Sequence, residues 1–119
     1  MAPFRSDEMN SLYATEKETE EFRTGCALCV CPPEKSFQHW KIVRNKFPYD
    51  LIADEHVMLV PNRHVPEQEL TVEEVAEFQA IKHSDEIQHT YDNFIESTHR
   101  TRSIPPHFHL HLMILKRFE

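Results

Sequence analysis

His107, His109 and His111 occupy every second position of His107-Phe108-His109-Leu110-His111, with apolar residues between them. Side chains of an extended strand alternate faces, so this spacing sends three imidazoles to one side of a sheet. Phe108, Leu110 and Leu112 go to the other side, where a sheet would bury them against a helix. A buried imidazole needs hydrogen-bond partners, so packing alone is a poor reason for such a row. Two chemistries use it. Imidazole is a ligand for zinc. A neutral imidazole, whose unperturbed pKa is about 6.5, is also a nucleophile near neutrality. It attacks through one ring nitrogen while a hydrogen bond at the other fixes the tautomer. Flanking histidines would then hold the oxygens of a phosphate under attack. A second cluster is Cys26-Ala27-Leu28-Cys29, with Cys31 two residues on. Two thiolates at this spacing can share one tetrahedral zinc, but they are half a site, and structural zinc needs four ligands. The competing reading is three small buried thiols.

The elements that must position these residues follow from pattern and punctuation. The final strand is expected over His107–Leu115, approached by Ser103-Ile104-Pro105-Pro106, where the prolines exclude helix. His56-Val57-Met58-Leu59-Val60 is expected as a strand closed by Pro61, and His39–Asn45 as an earlier one, with Lys46–Asp50 interrupting between them. Asn93–Thr98 suits a further strand. Thr71-Val72-Glu73-Glu74 has the spacing of a capping box and predicts one long helix of about five turns. Val75, Phe78, Ile81 and Ile87 would face the core. Residues 1–24 form an N-terminal extension, either loose chain or a helix over Ser11–Arg23 stopped by Gly25, the only glycine. Residues 25–119 form a single domain. A helix between strand pairs, without regular alternation, predicts an α+β fold with an antiparallel sheet of about five strands.

At this point two segments resemble one known family. His107-Phe108-His109-Leu110-His111-Leu112-Met113 is similar to the signature of the histidine-triad (HIT) family, and His56 to Val65 resembles that family's other characteristic strand. The similarity covers about residues 26–115. It implies a HIT-like fold and a nucleotide phosphoramidase or dinucleoside polyphosphate hydrolase acting through a covalent nucleotidyl-histidine. His109 would be the nucleophile, with His111 and His56 on the phosphates. Asn45 stands where relatives make ribose-side contacts, and Ser103 near where they bind the leaving phosphate. Members with a Cys-x-x-Cys pair complete a structural zinc site with two histidines, which by position are His64 and His107, beside Cys26 and Cys29. Cys31 is a spare thiol or an alternative ligand. The uridylyltransferase branch usually carries glutamine at the third triad position, so His111 points to the hydrolase-type branches. The resemblance also implies a homodimer.

Composition limits the alternatives. Thirteen basic against twenty acidic residues give a net charge of −7. That sign disfavours extended nucleic acid, which needs a basic footprint, but not a nucleotide in a local pocket. No apolar run approaches the ~20 residues of a membrane helix, and the first residues lack a signal-peptide core. The expectation is a cytoplasmic protein with a small-molecule nucleotide partner. Two other functions compete: a zinc-stabilised nucleotide-binding module with little turnover, and a nucleotidyltransferase. Basic residues such as Arg63 default to solvated surface, and Trp40 and Phe47 to core.

Overall fold

The computed structural model describes residues 3–19, 25–98, 100, 104 and 106–117. Its centre is a five-stranded, wholly antiparallel sheet of β1 (Lys35–Ser36), β2 (Trp40–Arg44), β3 (Ala53–Pro61), β4 (Asn93–Ile95) and β5 (Leu110–Leu115). The spatial order is β1-β2-β3-β5-β4. The α+β class and the strand number expected from the sequence are therefore present. The triad strand β5 pairs with β3, placing His56 opposite Met113 and Met58 opposite His111.

The helix expected as one long rod is two. Helix α3 (Val72–Lys82) and helix α4 (Asp85–Thr90) are broken at His83 and Ser84. The Ser84 hydroxyl accepts from the Ile87 amide and caps a new helix start, a local bond that competes with continuing the old one. The capping box is formed: Thr71 Oγ1 accepts from the Glu74 amide at 3.1 Å, and Glu74 Oε1 from the Thr71 amide at 2.8 Å. Phe78, Ile81 and Ile87 enter the core with Trp40, Ile42, Val57, Leu59, Phe108, Leu110 and Leu112. Val75 does not; it is 42% exposed, and Glu74 is buried instead.

The N-terminal helix starts earlier than expected, and residues 20–23 of the expected helix lie outside the described residues. Helix α1 spans Asp7–Lys17, capped by Ser6, whose hydroxyl accepts from the Met9 amide, with Asp7 and Glu8 complementing the first turn. It ends at Lys17, well before Gly25, which is not its stop. Ser6 reaches Asp50, and Tyr13 stacks on Phe47 with ring centroids 4.8 Å apart, so this segment packs on the loop between β2 and β3. The short helix α2 (Ala27–Val30) carries the cysteine pair. Its Leu28 packs with Val43, Met58 and Val60 on the sheet face opposite the long core cluster. Both faces of β3 are thereby covered.

Candidate active site and metal centre

The ladder of β5 begins at Leu110, so the strand expected from His107 is shorter at its start. His107 lies in a bend, its amide donating to the Ile104 carbonyl at 3.2 Å, and the Phe108 amide then donates to the Val65 carbonyl at 2.9 Å. Alternation is preserved. Phe108 lies in the helix-side core, while His107, His109 and His111 are buried on the other face at 0%, 2% and 3% exposure. The rings of His109 and His111 meet edge to face, 5.2 Å apart.

Backbone carbonyls, which only accept, set two of the tautomers. His107 Nε2–H donates to the Pro61 carbonyl at 2.9 Å, leaving Nδ1 with a lone pair. His109 Nδ1–H donates to the His107 carbonyl at 3.0 Å, so Nε2 is the nitrogen that bears the lone pair when the ring is neutral. The backbone amide of Tyr49, which only donates, sets a third. It donates to His56 Nδ1 at 3.0 Å, so His56 carries its proton on Nε2 and donates to His111 Nδ1 at 2.7 Å. His111 is left with Nε2–H, 3.5 Å from the Tyr49 hydroxyl. Hydrogen-bond direction therefore runs in one line from Tyr49 N–H through His56 to His111.

Burial holds the His56–His111 pair neutral. Desolvation, aided by the nearby Arg5 charge, lowers the pKa of His56 to about 3. Desolvation and the neighbouring His56 lower that of His111 to about 2. Asn45 lies beside this pair. Its Oδ1 accepts from the Phe47 amide at 2.9 Å, and its Nδ2 stands 3.3 Å from His56 Nε2. Both nitrogens are then donors, so the contact leaves the Asn45 amide protons available to an acceptor.

The second cluster is equally local. Cys26 and Cys29 Sγ each lie 3.4 Å from His107 Nδ1, and Cys29 Sγ lies 3.2 Å from His64 Nδ1. The four donor atoms fall within 4.8 Å of one another. Tetrahedral zinc with sulfur and nitrogen ligands has edges of about 3.3–3.8 Å. The free lone pair of His107 faces the thiols because its other nitrogen is tied to Pro61, the outer-sphere bond that orients a ligating histidine. Burial lowers the proton affinity of His107 and raises the pKa of the Cys29 thiol, the latter reinforced by Cys26. Cys26, Cys29, His64 and His107 are positioned to bind a metal ion. Cys31 stands apart, its Sγ 4.0 Å from the Arg44 carbonyl, and is not in the cluster.

No family model, curated protein or solved structure matches this chain. The site must be argued from its own atoms.

Of the residues singled out in the sequence, His56, His109, His111 and Asn45 come together in one group, and Cys26, Cys29, His64 and His107 in the other. Ser103 lies outside the described residues. Three participants were not anticipated. Tyr49 covers the histidine pair, its ring centroid 4.6 Å from His56 and 5.1 Å from His111. Arg5 lies over Tyr49 in turn, its Cζ 5.1 Å from the ring centre. Arg63 is exposed, as expected, but its pairing was not foreseen: it donates through Nε and Nη2 to the Glu74 carboxylate at 3.0 and 2.7 Å. That pair lowers the pKa of Glu74 to about 2 and ties the loop carrying His64 to the start of α3. A buried Glu completing a capping box was the available signal for Arg63. Nothing in the pattern marked Tyr49 or Arg5. Among the described residues no helix is long and apolar enough to cross a membrane.

Proposed function

We propose that the protein is a HIT-type nucleotide hydrolase, acting on nucleotide phosphoramidates or dinucleoside polyphosphates through a covalent nucleotidyl-His109. The observation that carries this reading is the His109 Nδ1–H bond to the His107 carbonyl, which makes Nε2 the nitrogen that bears the lone pair of the neutral ring, beside the linked His56–His111 pair. In the first step Nε2 attacks the α-phosphorus. A P–N bond forms, the bond from phosphorus to the leaving group breaks, and that electron pair departs with the leaving group. His111 offers its Nε2–H to a non-bridging oxygen, its orientation set by His56 at Nδ1. Water then attacks the same phosphorus, the P–N bond breaks and the nucleotide leaves, restoring His109. Asn45 offers its amide protons to the ribose side. By the family resemblance, His111 in place of the glutamine usual in the uridylyltransferase branch disfavours a sugar-phosphate nucleotidyltransferase.

The ion we assign to the four-donor cluster is zinc, on its two thiolates and two imidazoles. Its role is structural: Cys26, Cys29, His64 and His107 would hold it and so fix the ring of His107, leaving the other two triad histidines for phosphate. Localisation in the cytoplasm, where thiols stay reduced, agrees with this ligand set. A homodimer is proposed from the family resemblance and is testable by sedimentation.

The test is mass spectrometry after brief exposure to adenosine and guanosine phosphoramidates and dinucleotides. A nucleotide adduct on His109, lost in His109→Ala, is the expected result. The near-complete burial of His109 favours a second reading, a zinc-stabilised nucleotide-binding module with little turnover. Tight AMP binding without adduct or turnover would select it. Metal analysis is separate. One zinc per chain is expected, and a metal-free, fully folded preparation with reactive Cys26 and Cys29 would overturn the metal assignment.

A further inference from the structure

Arg5 is half-buried, and its surroundings are unusual for a cation in a chain with twenty acidic residues. Its Nε donates to the Phe47 carbonyl at 2.7 Å. The guanidinium lies between two aromatic rings, with Cζ 4.6 Å from the centre of Tyr13 and 5.1 Å from that of Tyr49. Among the described residues no carboxylate forms an ion pair with it. The Asp50 charge acts on Arg5, while the two Asp50 oxygens accept from the Ser6 amide and hydroxyl at 2.7 and 2.6 Å. Removing a cation from water without a paired anion is costly. The location is equally specific. Tyr49 packs against Arg5 and against the His56–His111 pair, and the Arg5 charge reaches both histidines. Among the described residues the Arg5 Nη groups make no hydrogen bond, and a guanidinium fork suits the geometry of phosphate oxygens.

We propose that Arg5 is the anion-recognising residue of this site, its Nη groups taking phosphate oxygens of a nucleotide bound against His56 and His111. The N-terminal segment, which sequence patterning leaves as an extension, is then a wall of the binding site. The assignment rests on the phosphate-handling reading of the histidines. It names a cation for a site whose His56 and His111 are held neutral.

The experiment is calorimetric titration of the metal-loaded full chain with AMP, adenosine and inorganic pyrophosphate, using wild type, Arg5→Gln, Arg5→Lys and Ser6→Ala. Glutamine keeps a donor for the Phe47 carbonyl but no charge. Lysine keeps the charge, and Ser6→Ala loosens the contact with Asp50 while leaving Arg5 in place. Arg5→Gln should weaken AMP and pyrophosphate by about 10- to 100-fold, the usual worth of a charge-assisted bond. Adenosine should bind as before, Arg5→Lys should recover part of the loss, and Ser6→Ala should lose less than about threefold. Unchanged AMP affinity in Arg5→Gln, alongside a His109 adduct, would overturn the Arg5 assignment alone. An equal loss in Ser6→Ala would also overturn it, because docking of the segment and not charge would then be responsible. Wild-type protein binding neither AMP nor pyrophosphate would remove both this assignment and the phosphate reading.

Discussion

Each of the four buried imidazoles, His56, His107, His109 and His111, has a ring nitrogen committed to a defined partner, and that commitment divides the chemistry. His107 is tied at Nε2 and presents Nδ1 to the thiols, whereas His109 is tied at Nδ1 and presents Nε2. His56 and His111 are linked to each other and depressed well below the ordinary histidine value. The depression has a consequence for stability. Between the folded values near 2 to 3 and the unfolded value of about 6.5, the unfolded chain binds protons that the folded chain refuses. Stability is therefore full above about pH 6.5 and falls as the pH drops towards 3, by at most about 1.4 kcal/mol per pH unit for each group. Urea denaturation at saturating zinc, between pH 7.5 and 5, measures the slope. His56→Gln, which keeps an acceptor for the Tyr49 amide, should make it shallower. An unchanged slope would remove His56 from the explanation. The alternation of the triad was legible at this scale because a strand has period two. Which nitrogen each ring presents was not, since Pro61, Tyr49 and the His107 carbonyl act through backbone atoms that carry no residue signature.

At the scale of elements, β3 and β5 were readable from their apolar runs, and the capping box from Thr71 and Glu74. The break between α3 and α4 was missed because the apolar positions Phe78, Ile81 and Ile87 continue across it, while the Ser84 cap acts on one amide only. The early start of α1 was missed although Ser6-Asp7-Glu8 is a good helix opening. The sparse apolar residues of this segment drew attention to its later part. The clamp of Arg63 on Glu74 is an element-level device: it fastens the loop bearing His64 to the first turn of α3. Arg63→Ala leaves a buried carboxylate with only its Thr71 amide bond. We expect a loss of about 1–3 kcal/mol in denaturation and roughly 10-fold weaker zinc binding, as for other groups that orient a ligand. Full zinc affinity in the variant would show that the loop holds its position without the clamp.

For the whole molecule, the metal cluster joins three parts distant in sequence: the knuckle at Cys26 and Cys29, the loop at His64, and the approach to β5 at His107. Chelation should therefore lower the melting temperature and raise amide exchange in all three parts, measurable by calorimetry and hydrogen-exchange mass spectrometry. Local loosening confined to α2 would mean that the other ligands are held by the sheet alone. His107 has a further consequence. Its ring completes the cluster, and its carbonyl holds the tautomer of the neighbouring His109. On the proposed function one residue would stand in both equilibria, and thermodynamic reciprocity would apply: the factor by which zinc tightens AMP would equal the factor by which AMP tightens zinc. Competition with a chromogenic chelator, with and without AMP, measures one side of that cycle, and calorimetry of apo and zinc-loaded protein the other. We expect a factor above one on both sides, with His109→Ala bringing it back to one. The metal would then be read out at the nucleotide, and the nucleotide at the metal.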